Sequence, residues 1–153
     1  MTEELTGHAG ELAVAVARAH GADAIGVLAR SPHVGRNELT VLLDVIGDRV
    51  LAPVDAPYAH GEPDRMALAT MNVLRRNIVP LNVVEPWVAR ITSGAVHTYD
   101  GKTDPFLPTA NAEAFLRALH LQLAIAPTPP EIRPDLLLVL MSALRSTNPS
   151  YLT

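Results

Sequence analysis

The chain has 153 residues, an apolar fraction of 48%, a formal net charge of −4 and no cysteine. That length suits one ordinary domain; the apolar content excludes disorder, and the missing thiols exclude disulfides and thiolate metal sites. No apolar run approaches the ~20 residues needed to span a bilayer, and the aromatic content of 4%, with no basic cluster beyond Arg75–Arg76, argues against a broad nucleic-acid face.

The first twelve residues, MTEELTGHAGEL, are acidic and lack the basic and apolar regions of a signal peptide, so a cytoplasmic location is expected. Residues 5–20 place Leu5, Ala9, Leu12, Val16 and Ala19 on one helical face, with Gly21 as a C-terminal cap. Residues 24–28 form a short apolar run that reads as a first strand. Residues 39–46 read as a central strand, bounded by Gly35 and by Gly47–Asp48 and apolar on both faces. A further short strand is expected at 49–54.

Residues 55–62 read as a loop, and Pro63 with Asp64 opens a helix that runs to Arg76. Residues 78–84 are expected as the next strand, Pro86 as the start of a short helix through Ile91, and Gly94 as its stop. Residues 95–99 read as a brief strand ending in an Asp100–Gly101 turn. A helix from about Asn111 to Ile125 follows, with Leu116, Leu119 and Leu123 on its inner face. The segment 126–134, APTPPEIRP, is a stiff connector, and residues 135–145 form a last helix that is apolar nearly all round. No internal repeat is visible. These elements predict an α/β (α+β) fold, a small mixed sheet covered by helices. Residues 1–125 would be its core domain, and 126–153 a connector with an apolar helix packing on the core or on a partner.

The stretch 26–44, GVLARSPHVGRNELTVLLD, has a layout of glycine, polar loop and strand that resembles the minimal nucleotidyltransferase superfamily, with its polymerase-beta-like core. Gly26 matches the family's glycine and Val27 stands at its serine. Ala29–Arg30 resembles its loop, with Ser31 in place of the last glycine. NELTVLLDV is similar to the carboxylate strand, with Glu38 at the first acid and Thr40 at the second. LNVVEPWVARI resembles the later strand and helix, with Asn82 where the third acid belongs. The family's acids lie two residues apart on a strand, on one side of it, and hold two Mg²⁺ ions. One surviving carboxylate cannot do so. The resemblance therefore implies a non-catalytic relative that acts by protein binding, antitoxin-like or regulatory, with no cofactor. Gly26, Arg30, Ser31, Thr40 and Asn82 would line the vestigial pocket.

Two other readings stand beside it. A small metal-dependent phosphotransferase or hydrolase would use Glu38 and Asp44 with the loop histidines His33 and His60, and Mg²⁺ would be needed only in that case. A small-ligand accessory protein would instead show an apolar pocket with few convergent polar groups. The six histidines, His8, His20, His33, His60, His97 and His120, form neither HExxH nor HxH, and no GxSxG, P-loop or GxGxxG motif is present. The polar segment 97–104 suits a turn facing water. In the last helix, Leu137, Leu140, Met141 and Leu144 follow core-packing spacing, and Leu136, Leu138 and Val139 fill the remaining circumference. Such a helix is either buried or lies at an interface, with a protein partner or in a homodimer.

Overall fold

A computed structural model of the protein describes residues 21–96, 101, 104 and 106–152. Among these residues six helices follow one another: α1 (Ala22–Ala29), α2 (Arg36–Leu51), α3 (Glu62–Leu74), α4 (Leu81–Gly94), α5 (Leu107–Ile125) and α6 (Arg133–Thr147). Among the described residues there is no strand. The expected mixed sheet is therefore corrected to an all-helical fold. The nucleotidyltransferase resemblance falls with it, because that core is built on a sheet.

Residues 24–28 belong to α1, and 39–46 lie in the middle of α2. The buried positions Leu39, Leu42, Leu43, Ile46 and Val50 of α2 follow the i, i+3, i+4, i+7 rule. Residues 49–51 close the same helix, so no further strand follows. Residues 81–84 form the first turn of α4 rather than a strand, and Pro80 is the N-cap. Pro86 sits inside α4 and does not start it. The amide that proline lacks would have met the Asn82 carbonyl, and both residues are exposed, so that carbonyl is open to solvent. The helices expected around 63–76, 111–125 and 135–145 are present as α3, α5 and α6. The expected helix at 5–20 and most of the 95–99 strand lie outside the described residues.

Helices alternate between two layers. In one, α1 packs on α3 and α3 on α5; in the other, α2 packs on α4 and α4 on α6. Within each layer the neighbours run parallel. Tyr58 N–H donates to Asn111 Oδ1 (2.8 Å), Gln122 Nε2 to the Asp64 carbonyl (2.9 Å), and Arg75 Nε to the Thr128 carbonyl (2.9 Å), so the partners climb together along α3 and α5. Trp87 Nε1 likewise donates to the Leu43 carbonyl (2.7 Å), and Arg90 meets Asp44 and Asp48 further along the same two helices. Between the layers α5 and α6 run antiparallel: Arg133 reaches the Ala124 carbonyl (2.7 Å), and Arg117 reaches Asn148.

This is the construction of stacked helical-pair arrays, whose units recur roughly every 40 residues. Here α1, α3 and α5 begin at residues 22, 62 and 107. Repetition lies in the geometry, not in the residues. The core fills the space between layers, with Leu39, Leu42, Met66, Met71, Ile91, Phe115, Leu119 and Leu140 all buried. Trp87 stands edge-on to Phe115, ring centroids 5.8 Å apart and planes at 89°, the favourable arrangement for two quadrupoles.

Candidate functional site

The residues singled out in the sequence take up separate local duties. Glu38 lies in the first turn of α2, where its Oε2 accepts the Gly35 N–H (3.0 Å) and caps the helix. Thr40 Oγ1 donates back to the Arg36 carbonyl (2.9 Å). On a helix two residues are ~200° apart, so Glu38 and Thr40 do not share a side as they would on a strand. Asn82 is exposed in the first turn of α4.

Gly26 is buried in α1 beside Ala69 and Asn72 of α3; a Cβ there would lie 3.2 Å from Asn72 Nδ2, so glycine permits the close approach of the two helices. Arg30 caps the C-terminus of α1. Ser31 offers its carbonyl to Arg76 Nη1 (2.8 Å) and its hydroxyl to the His33 N–H (3.3 Å). His33 and His60 are exposed, and the His60 N–H donates to Glu62 Oε2 (2.8 Å). Asp44 pairs with Arg90 at 3.8 Å on the surface. Among the described residues no three His, Asp or Glu side chains gather closely enough to hold a metal ion. His8, His20, His97, Tyr99, Asp100 and Lys102 lie outside the described residues.

Sequence spacing does not single out two features of the surface. The first is a cavity of about 640 Å³ where the N-termini of α1 and α3 meet the C-terminus of α2. Gly21, with φ of +84°, turns the chain into it and lies against the Arg49 guanidinium, leaving no room for a Cβ. Tyr58 is fixed at its wall by donating to the Arg49 carbonyl (3.2 Å). The lining alternates Asp23, Asp48 and Glu62 with Arg49 and Arg65. Asp48 is already engaged by Arg90. The Glu62 carboxyl titrates below its ordinary value, because its own N–H and that of His60 donate to it, outweighing desolvation, with smaller help from His60 and Arg65 charge. With both signs interleaved, the cavity favours neither anions nor cations.

The second feature is the outer face of α6. Leu136, Leu140, Ala143 and Leu144 enter the core, and Thr147 continues that stripe. Met141, expected inside, points outward instead. On the opposite side Asp135, Leu138, Met141, Ser142 and Arg145 form one exposed stripe, with Leu138 67% and Met141 38% exposed. The outer faces of α2 and α4 carry the Asp44, Asp48 and Arg90 ion pairs beside an exposed Val41, whereas the α6 stripe has two aliphatic side chains at its centre; in the other layer Val27, Leu68, Leu121 and Ile125 are also exposed. Beside it, a groove of about 260 Å³ between α4 and α6 is lined by small side chains, among them Ala89, Ala143, Ser142 and Ser146. The spacing 135, 138, 141/142, 145 carries a signal for this face. A helix that is apolar almost all round masks it.

The fold is thus a two-layer stack of helices whose last member carries exposed aliphatic side chains on its outer face. Residues 2–121 match the profile of a family described as protein of unknown function (DUF2785), and the chain belongs to that family. The match ends within α5, so α6 lies beyond it. No curated protein and no solved structure matches the chain. Among the described residues no helix is long and apolar enough to cross a membrane.

Proposed function

We propose that this protein works as a helical module that holds another protein chain against the outer face of α6. The observation that carries the reading is the pair Leu138 and Met141, exposed at the centre of a helix whose other side is committed to the core. A fully buried leucine contributes ~1.5–3 kcal/mol relative to an exposed one, so covering these side chains is favourable.

The chemistry of the face specifies its occupant. Asp135 stands at one end and Arg145 at the other, with the aliphatic pair between. An amphipathic helix fits it, with an apolar centre, a cation opposite Asp135 and an anion opposite Arg145. The mixed-sign cavity at the other end of the array offers no comparable selectivity.

A photo-crosslinking amino acid at Leu138, expressed in the source cell, tests this. A discrete protein adduct is expected from position 138, lost when Met141→Lys is added, and absent when the probe replaces exposed Asn37 on α2. No adduct from 138, or an equal yield from 37, would overturn the reading.

A further inference from the structure

The α6 stripe is self-complementary, and from this we propose that its occupant is a second copy of the same chain, with the two α6 helices packed antiparallel about a two-fold axis. The proposal rests on the reading of α6 as a docking face and names the partner. Asp135 lies in the first turn and Arg145 in the last turn of α6. Both are exposed on the stripe that carries Leu138 and Met141. Turning the helix end for end about a point near Leu140 brings Asp135 of one copy opposite Arg145 of the other, twice over. The same rotation places Leu138 and Met141 of each copy over the aliphatic centre of its mate.

A two-fold contact requires one patch to complement itself, and this stripe meets that condition without any other element. The charge order also fits the helix dipoles. In an antiparallel pair the acidic N-terminal end of one helix lies against the basic C-terminal end of the other. Parallel packing would instead set Asp135 against Asp135 and Arg145 against Arg145. An interface built from one helix per copy is at the small end of specific interfaces, so the dimer is expected to form and dissociate with concentration rather than to be permanent.

Sedimentation velocity on the purified full chain, over a wide concentration range, is the test. The wild type is expected to shift from monomer to dimer, and Leu138→Lys to remain monomeric. Each single reversal, Asp135→Arg or Arg145→Asp, sets like charges together twice and is expected to weaken dimerisation at least fivefold. The double reversal Asp135→Arg/Arg145→Asp is expected to restore it. The substituted positions are all exposed, so unchanged far-UV circular dichroism verifies that each variant folds.

A wild type that stays monomeric, a dimer indifferent to Leu138→Lys, or a double reversal that fails to rescue would each overturn the antiparallel pair. If the purified chain is monomeric while a crosslink from position 138 captures a chain of different mass, the second-copy inference fails and the docking face stands. If both experiments are negative, both fail.

Discussion

Individual side chains show how closely the two layers are fitted. Gly47 of α2 lies beneath Trp87, where a Cβ would come within 3.0 Å of Nε1. The indole cannot retreat, because it is bonded to the Leu43 carbonyl on one side and set against Phe115 on the other. Gly47→Ala should therefore lower stability by ~1–2 kcal/mol in urea unfolding, although alanine in a helix would otherwise add up to ~1 kcal/mol. The single tryptophan supplies the fluorescence signal. Glu62 offers a second check at this level. Its carboxyl pKa is lowered on folding, so any stabilisation it provides is complete above the ordinary glutamate range and fades as pH falls through the folded value. An NMR titration of its side-chain carboxyl should place its midpoint below that of an unperturbed glutamate, and Glu62→Gln should remove that signal.

Among the helices, α4 carries the clearest internal conflict. Pro86 interrupts its hydrogen-bond ladder, yet the helix continues through it. Pro86→Ala can restore the bond to the Asn82 carbonyl and should raise stability by ~1–3 kcal/mol, seen as a higher thermal midpoint. A protein with a strand at 78–84 would show no such gain. This helix and α2 replace expected strands, and for a common reason. Leu39, Leu42, Leu43 and Ile46 satisfy helical spacing, but over eight residues an apolar run is equally compatible with a covered strand. Because α2 touches α1, α3, α4 and α5 it is buried on several sides, and between Leu39 and Ile46 only Thr40 and Asp44 are polar, so the amphipathic mark of a helix is weak over that stretch. In α4 the two prolines, Pro80 and Pro86, resemble the boundaries of a strand and of a helix start. Val84, Trp87, Val88 and Ile91 keep helical spacing across the second proline, and their packing on one side shows a single helix.

Across the molecule, the two layers share one core, and Phe115 of α5 is at its centre, fully buried and in contact with Trp87 of α4. Phe115→Ala should cost ~3–5 kcal/mol, with loss of helical circular dichroism and of the Trp87 signal in one transition. Separate transitions for the two signals would mean that the layers unfold independently.

Helices around 63–76, 111–125 and 135–145 could be read from residues alone, because Pro63 and Asp64 mark the first start and apolar spacing is sustained in the other two. Composition likewise excluded disulfides. The helical state of α1, α2 and α4, the alternation of layers and the outward stripe of α6 depended on contacts between distant segments. Short apolar runs satisfy both backbone periods, and a helix apolar on all sides has no marked face. In both cases the choice is made by which neighbours bury it, and those neighbours lie tens of residues away.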